Sequence, residues 1–214
     1  PIEIKTNTEW KKYIEKYGRC FWISPLTKYQ YGIAQITKEM IENKKKTDLT
    51  EIISSEGPGS YTAIRVVAAV CKTISYTLNI RLKKVSSLKL QALLEFDSNK
   101  LLVPFIDARR GNVFGAVYKN EEGKLVEVLE EGYYSLEEIN NFLSSQSDEF
   151  VYISKNIEKL NDFLLEGSKN NNMVQAANVI KIYESLEEVD CYNMKPQYLR
   201  KTEAERELEN DKNK

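Results

Sequence analysis

The sequence predicts an α/β protein made of two similar halves, each a mixed sheet flanked by helices. The first observation is the order of elements after residue 100, where short apolar runs and helical periodicities give β-β-β-α-β-α-β-α. The second is that the first half has a related order, β-β, a gap, and then β-α-β-α. With 214 residues, the chain is long enough for one large domain or two small ones.

The predicted elements of the first half begin with a polar amphipathic stretch. Two strands joined by a turn follow, and a strongly charged connection leads to an apolar strand that ends in a glycine-rich turn. The longest predicted helix begins at this turn, and one more strand and helix complete the half. In order, the segments are the stretch 8–17, strands 20–24 and 29–36 with their turn at 25–28, the connection 38–48, strand 50–55, helix 60–78, strand 81–85 and helix 87–96.

Three consecutive strands open the second half, and a turn at 120–123 joins the last two. Ser135, followed three residues later by Glu138, forms a capping box that predicts a helix to about Leu143. The remaining predictions alternate strands with helices. In order, the segments are strands 101–106, 112–119 and 124–130, helix 135–143, strand 149–154, a helix with its apolar face at Ile157, Leu160 and Leu164, a short strand at 172–175, helix 176–183 and a charged, solvated tail from 202.

The sequence contains no histidine, and this limits its chemistry. Imidazole is the usual general base near neutral pH and a common metal ligand. Ser-His-Asp catalysis, Cys-His catalysis and histidine-based zinc or iron sites are therefore excluded from these residues. Basic and acidic side chains nearly balance, with a formal net charge of −1, which does not predict a strongly basic face for nucleic acid. We expect no metal site and no cofactor.

The three cysteines indicate a reducing compartment. Cys20, Cys71 and Cys191 are odd in number, far apart and form no CxxC pair. The first thirty residues contain many charges and no continuous apolar core, so we expect no signal peptide. The longest apolar run, 66–71, is too short to cross a bilayer. We therefore expect a cytoplasmic protein with no membrane association.

The helix at 60–78 is apolar on two sides. A helical projection places on one side the residues expected to pack on a sheet: Ile64, Val67, Ala68, Cys71, Ile74, Ser75 and Leu78. The opposite side gathers small and β-branched residues: Val66, Ala69, Val70, Thr73 and Thr77. Burial within the same chain and coverage by a partner both explain such a helix. Since small and β-branched side chains allow two helices to approach closely, we favour a partner interface.

The turn Gly57-Pro58-Gly59-Ser60 that opens this helix has two interpretations. A helix N-terminus after a glycine turn can bind phosphate, and Ser60 is the predicted N-cap. However, the turn lacks the spacing and the lysine of a Walker A loop, and it is not GxGxxG. A structural turn from strand to helix explains it without a ligand. We interpret the motif, which ends at Arg65, as the hinge that directs a binding helix outward.

A carboxylate and two guanidinium groups follow the strand at 101–106. Arg109 and Arg110 are a candidate anion contact, since arginine pairs bind phosphate or carboxylate bidentately. An internal pair between Asp107 and an arginine, which would fix the turn, is the favoured alternative. Glu56 and Asp107 would form a general acid–base pair only if a cleft brought them together. We assign no catalytic residue.

Four stretches of the sequence, in order, resemble the TsaB family. Residues 57–65 (GPGSYTAIR) are similar to the family's GPGSFTGLR signature, and 85–88 (VSSL) resemble part of its GVSSL stretch. Residues 104–114 (PFIDARRGNVF) are similar to its IDARRGEVY strand and turn, and 196–200 (PQYLR) resemble its closing PxYLR. The match covers 48–200 well, and four ordered motifs are far more specific than one.

The resemblance implies a fold of two RNase H-like lobes of the actin and hexokinase superfamily. It predicts an N-terminal lobe at 1–98, a C-terminal lobe at 99–190, and a closing segment with a charged tail at 191–214. It also implies a non-catalytic subunit that pairs with TsaD in making threonylcarbamoyladenosine in tRNA, associates with the ATPase TsaE, and contacts tRNA only indirectly. Without TsaD, the apolar helix face would form a homodimer.

The N-terminus departs from the family pattern. The family opens with an ILAIDTS-like strand and turn, whereas here Ser24 and Pro25 stand at the acid and threonine positions. A carboxylate that would orient a nucleotide's metal ion is missing there, so we do not expect nucleotide turnover. The connection at 36–48 is too short for the family's third strand and first helix. Two alternatives stay open: a diverged nucleotide-binding enzyme of this superfamily, and a paralogue that has lost the TsaD contact.

Overall fold

The computed structural model describes residues 20–23, 49–174 and 176–200. The predicted stretch at 8–17, the strand at 29–36, the connection at 38–48 and the tail from 202 lie outside these residues. The strands are β1 (Cys20–Ile23), β2 (Glu51–Gly57), β3 (Arg81–Ser86), β4 (Leu101–Arg109), β5 (Asn112–Glu121), β6 (Lys124–Ser135), β7 (Phe150–Ile153), β8 (Ser168–Asn170) and β9 (Glu187–Val189). The α-helices are α1 (Tyr61–Leu78), α2 (Ser87–Ala92), α3 (Leu136–Ser144) and α4 (Ile157–Leu160), with 3₁₀ segments at Leu93–Glu95, Asn161–Phe163 and Ala176–Ser185.

The first sheet has the strand order β1-β2-β3-β9 within the described residues. Its first three strands are parallel, and β9 runs antiparallel to β3. Strand β2 is buried on both faces, as expected in a parallel sheet covered by helices on each side. Ile52 contacts the core under α1, while Ile53 contacts the core under the Ala176–Ser185 segment.

The second sheet has the order β6-β5-β4-β7-β8 in the part of the chain that the structure describes. Strands β4, β5 and β6 form an antiparallel meander, and β7 and β8 continue the sheet in parallel to β4. One face packs against α3 and α4 through Ile139 and Leu143 among others. The parallel run β4-β7-β8 repeats the arrangement of β1-β2-β3, which confirms the predicted α/β class with two mixed sheets.

Helix α2 lies between the two sheets. Leu88 packs in the core of the second sheet, whereas Leu90 packs in the core of the first sheet. Because the helix contributes to both cores, it is almost entirely buried. The two sheets are therefore joined by a shared apolar element rather than by a chain connection alone.

The capping box at the start of α3 is confirmed. The Ser135 hydroxyl accepts a hydrogen bond from the backbone N–H of Glu138, and the Glu138 carboxylate accepts one from the backbone N–H of Ser135. These two bonds satisfy donors that a helix N-terminus leaves unpaired. The sequence signal therefore identified the start of this helix correctly.

Several predicted boundaries differ in the structure. The described part of the predicted strand at 172–175 is not a strand, and β8 lies earlier, at Ser168–Asn170, where the chain can pair with β7. The predicted helix at 176–183 is a 3₁₀ segment, and the helix at 87–96 becomes 3₁₀ after Ala92. The sequence does not predict β9, whose short acidic sequence has no strand periodicity; pairing with β3 creates this strand.

The chain returns to the first sheet after leaving the second. Tyr183 packs in the core beside β2, and β9 pairs with β3. Both lie within 99–190, the segment assigned to the C-terminal lobe, so the lobe boundaries stay a prediction. Over the described residues, no helix is both long and apolar enough to cross a membrane.

Candidate functional site

The glycine-rich turn connects β2 directly to α1. Gly57 has φ +118, a conformation that L side chains rarely adopt, and the Gly57–Pro58 peptide bond is cis. Ser60 precedes the helix, and its carbonyl accepts the backbone N–H of Ile64 at 3.0 Å. Its side chain makes no capping hydrogen bond, so the predicted side-chain cap is wrong. Ser60 therefore contributes to the start of α1 through its backbone carbonyl, while its hydroxyl bonds none of the first-turn N–H groups.

Helix α1 presents two different faces, as its periodicity predicts. Ile64, Val67, Ala68, Cys71 and Ser75 are buried against the first sheet. On the opposite side, Val66 is 48% exposed, and three other predicted interface residues are exposed: Ala69, Thr73 and Thr77. Val70, also predicted for this side, is half-buried and packs against the core beneath the helix. The described residues of the chain leave this second face, here called the outer face of α1, largely exposed.

Two tyrosine pairs flank the outer face of α1. At its N-terminal end the ring centroids of Tyr61 and Tyr198 lie 5.5 Å apart, and at its C-terminal end those of Tyr76 and Tyr192 lie 5.8 Å apart in a T-shaped contact. All four side chains are at least half exposed. Sequence reasoning missed these pairs, because each joins residues more than a hundred positions apart and no local pattern predicts them.

Arg65 lies beside the first of these pairs. Its guanidinium donates a 2.7 Å hydrogen bond to the hydroxyl of Tyr61 and lies 5.0 Å from the centroid of that ring. At the other end, the Lys72 ammonium donates to the carbonyl of Tyr192 at 3.3 Å. The polar edge of α1 therefore holds the tyrosines in place at both ends of the outer face.

The stretch at 85–88 joins β3 to α2 through two serines. The Ser86 hydroxyl caps α2 by accepting the backbone N–H of Leu88 at 3.0 Å. The fully buried Ser87 shares a 2.7 Å hydrogen bond with the hydroxyl of Ser55 on β2. These bonds fix the end of β2, and hence the turn at Gly57, relative to α2.

The closing segment at 196–200 crosses from the first sheet to the second. The backbone N–H of Gln197 donates to the carbonyl of Glu56 at 2.7 Å. Tyr198 contacts Tyr61, Leu199 packs with the core of the second sheet, and the Arg200 guanidinium lies 4.7 Å from the centroid of the Tyr133 ring. The last of the four motifs is therefore a structural tie between both sheets and the glycine turn.

The stretch at 104–114 forms a tight hairpin between β4 and β5. Arg109 and Arg110 have φ values of 70° and 56°, and Gly111 follows at 74°, so three consecutive residues are left-handed. Asp107 stabilises the turn by accepting the backbone N–H of Arg109 at 2.8 Å and by pairing with the Lys159 ammonium. The internal pair between Asp107 and an arginine, which the sequence analysis favoured, therefore forms through the backbone N–H of Arg109 rather than through a guanidinium group. Both arginines are exposed.

Asp107 and Glu56 have separate partners. Burial raises the pKa of Asp107, but the hydrogen bonds from Lys159 and from the Arg109 backbone outweigh it and lower the pKa below its usual value. Glu56 instead pairs with Lys84 at 3.3 Å. The contacts among the described residues do not bring the two carboxylates together, so a general acid–base pair is not formed.

Cys71 is a buried thiol on the sheet-facing side of α1. Its side chain is fully buried, and this burial raises the thiol pKa to about 11. A thiol in this state is a poor nucleophile at neutral pH. Among the described residues, no cluster of three or more carboxylates and thiols is placed to hold a metal ion.

Solved structures share this fold. An uncharacterized protein from Pseudomonas aeruginosa, described as similar to the peptidase YeaZ, aligns with a TM-score of 0.67 at 16% identity, over 81% of this chain and 85% of that chain. YeaZ from the same organism aligns with a TM-score of 0.66 at 16% identity, over 78% and 82%. The fold is that of an RNase H-like α/β protein with two mixed sheets.

The chain belongs to the family described as "TsaD: tRNA N6-adenosine threonylcarbamoyltransferase", whose model matches residues 29–208. It is 28% identical over 166 residues to the tRNA threonylcarbamoyladenosine biosynthesis protein TsaB of Bacillus subtilis, covering 74% of this chain and 72% of that protein. TsaB of Buchnera aphidicola is 28% identical over 102 residues, which cover 46% of each chain. These matches confirm the resemblance to TsaB drawn from the four motifs.

Proposed function

We propose that this protein takes part in the threonylcarbamoyladenosine modification of tRNA as a non-catalytic subunit that pairs with a TsaD-like catalytic subunit. The single observation that carries the pairing is the outer face of α1, which the described residues leave largely exposed although it consists of small and β-branched side chains. Such a surface allows close helix–helix packing. The proposed tRNA modification is inferred from the names of the two TsaB relatives.

Three of the four motifs support a scaffold role for this chain. The serines at 85–88 and the segment at 196–200 both anchor the glycine turn, and the turn sets the start of α1. A helix fixed in this way is ordered before its partner arrives, which lowers the entropy lost on binding. The rigid turn therefore serves the interface rather than a bound nucleotide.

The test is co-purification with the cognate TsaD-like subunit. Val66→Glu and Ala69→Glu each introduce a charge on the outer face of α1, and we expect loss of the complex. Val126→Glu is the matched control, because Val126 is a comparably exposed valine, at 39%, on β6. If the α1 variants leave both complex formation and self-association unchanged, the interface assignment is wrong.

A homodimer through the same face is the expected state without the catalytic subunit. Sedimentation of the isolated chain tests whether it is a monomer or a dimer. A dimer that dissociates in the Val66→Glu variant supports self-association through the same face that binds the catalytic subunit.

We also propose a TsaE-like ATPase as a further partner, with tRNA contacted only indirectly. Binding of TsaE to the assembled pair, compared with binding to either subunit alone, tests this proposal.

We propose Arg109 and Arg110 as an anion contact at the hairpin tip. Their side chains are exposed, and left-handed φ values in residues other than glycine are uncommon and often mark functional sites. Titration with inorganic phosphate, followed by NMR, should shift signals of both arginines. Lys155→Ala, which removes another exposed cation, is the control; the proposal fails if an Arg109→Ala and Arg110→Ala double variant binds phosphate as before.

An enzyme is the second candidate, because the matching family model is itself described as a transferase. An enzyme of this superfamily should bind ATP saturably in calorimetry and turn it over faster than its Asp107→Ala variant.

The alternative that this chain is a paralogue without the TsaD contact would gain support if the same genome encoded a separate, full-length TsaB. A cytoplasmic location stays a prediction.

A further inference from the structure

One edge of the outer face of α1 carries aromatic and cationic side chains. Spacings of four, seven and four positions place them on a single strip of the helix surface, because residues separated by whole helical turns lie one above another. The strip extends from the first turn of α1 to the last, about 22 Å along the helix axis. Its members, called here the edge strip, are Tyr61, Arg65, Lys72 and Tyr76.

The chain segment at 191–200 runs beside the edge strip. At one end Tyr198 contacts the first tyrosine of the strip, and at the other end Tyr192 contacts the last. Between these contacts Met194 is buried in the core beneath α1. The segment is therefore anchored against the helix, and it presents its two tyrosines at defined positions next to the edge strip.

The helix and this segment together are positively charged. Residues 61–78 and 191–200 contain no aspartate or glutamate, although acidic and basic residues nearly balance over the whole chain, at 32 and 31. Asp190, which precedes the second segment, already accepts the backbone N–H of Tyr192. In the described part of the structure none of the cations in these two segments forms an ion pair, whereas six described lysines elsewhere do. The cations without such a pair are Arg65, Lys72, Lys195 and Arg200.

The exposed tyrosines beside these cations are typical of a protein interface. Tyrosine and arginine are enriched in interfaces, where a tyrosine contributes a large apolar ring together with a polar hydroxyl. Tyr76 and Tyr192 are 66% and 68% exposed. Their contact with each other, like that of Arg65 with Tyr61, orders these side chains before binding and so lowers the entropy lost when a partner arrives.

The charge of this surface distinguishes between the partners that could cover it. Two copies of this chain paired through α1 would bring two cationic edges into one interface and no carboxylate from either helix. A nucleic acid supplies negative charge, but it offers no apolar surface for the small and β-branched side chains of the outer face. The best complement is a protein surface with an apolar strip that has carboxylates beside it.

We propose, as an extension of the proposed function, that the edge strip and the segment at 191–200 bind a surface of the TsaD-like subunit in which carboxylates border an apolar strip. Arg65 and Lys72 pair with those carboxylates, while the tyrosine rings cover the two ends of the contact. This arrangement selects the catalytic subunit over a second copy of the chain, because only a partner with carboxylates at this edge neutralises the cations.

Calorimetry of binding to the cognate TsaD-like subunit, at about 50 and about 500 mM sodium chloride, tests the ion pairs. With the unaltered protein we expect the complex to weaken several-fold at the higher salt concentration. A variant with both Arg65→Gln and Lys72→Gln should bind about ten-fold more weakly at low salt and should lose most of the salt dependence. A variant with Arg65→Lys and Lys72→Arg keeps both charges and should keep the salt dependence. The matched control is a variant with Lys124→Gln and Lys155→Gln, which removes two exposed cations elsewhere.

Tyr192→Ala tests whether the segment at 191–200 belongs to the interface. Since Tyr192 does not lie on α1, a loss of affinity of several-fold or more indicates that the subunit contacts this segment as well as the helix. Tyr192→Phe keeps the ring and should bind almost as tightly as the unaltered protein. Phe163→Ala is the matched control, because Phe163 is a comparably exposed aromatic residue, at 62%, outside this surface.

The proposal fails separately from the proposed function. If Val66→Glu abolishes the complex while the Arg65→Gln and Lys72→Gln double variant binds like its lysine control at both salt concentrations, the outer face binds the subunit without the edge strip. The proposed function then stands and this proposal is overturned. If neither variant weakens the complex, the pairing through α1 is itself wrong.

Two further results would assign the surface to another occupant and overturn the proposal. The first is self-association of the isolated chain that is as tight as the complex and depends on salt in the same way, which would indicate a second copy. The second is binding of an unmodified tRNA transcript to the isolated chain that is lost in the Arg65→Gln and Lys72→Gln double variant, which would indicate nucleic acid.

Discussion

The backbone of Gln197 lies directly against the glycine turn at Gly57. The carbonyl oxygen of Gln197 is 3.0 Å from the position that a Cβ on Gly57 would occupy, while its N–H donates to the carbonyl of Glu56. The closing motif and the glycine motif, about 140 positions apart in the sequence, are therefore in direct backbone contact. Glycine is required at 57 both for its φ of +118 and for this close approach.

Gly57→Ala should destabilise the fold by more than an ordinary turn substitution. The change forces an alanine into a left-handed conformation and places its Cβ against backbone that cannot move away cheaply, for a loss of about 3 kcal/mol or more in free energy of unfolding. Gly111→Ala is the control, because Gly111 also has positive φ but an added Cβ meets nothing within 4 Å. Urea denaturation of both variants should show the larger loss at 57; equal losses would argue against the contact with Gln197.

The hydrogen bond between Ser55 and Ser87 should contribute cooperatively to stability. Each single change to alanine leaves the other buried hydroxyl unpaired, so we expect each to lower the free energy of unfolding by about 1–3 kcal/mol. The double variant should lose less than the sum, because no unpaired hydroxyl remains. A double-mutant cycle by chemical denaturation measures the coupling, and strict additivity would contradict it.

Cys71 should resist thiol reagents in the native protein. Its thiol is fully buried and has a pKa raised to about 11, so reaction requires unfolding. Cys191 is partly exposed and should react much faster with iodoacetamide. Peptide mass spectrometry measures the two sites separately, and modification of Cys71 at the rate of Cys191 in native buffer would refute the assignment of an inert core thiol.

Asp107→Asn should lower stability in a pH-dependent way. The amide still accepts the Arg109 N–H but loses the charge that pairs with Lys159, and since Lys159 is mostly exposed we expect a loss of about 1 kcal/mol or less at neutral pH. Because the Asp107 pKa is lowered by folding, this stabilisation is present above the unfolded value and disappears as the pH falls through the folded value. Thermal denaturation of both proteins from pH 7 to pH 3 measures the difference, and a difference that stays constant with pH would contradict the prediction.

Some features of this protein are encoded in local sequence signals. The 3.6-residue period of residues 64–78 identifies both faces of α1, and Ser135 with Glu138 identifies the start of α3. These signals depend on neighbours within one or two helical turns, so they do not require knowledge of the fold. Likewise, the composition alone shows that none of these 214 residues can supply an imidazole.

The contacts between distant segments, in contrast, depend on the tertiary fold. Strand β9 exists because Leu82 and its neighbours on β3 offer an edge to pair with, and the tyrosine pairs beside α1 form because 192 and 198 return to that helix. Such contacts join residues that lie far apart in the sequence. Their energy comes from packing and burial in the folded chain, which no local pattern encodes.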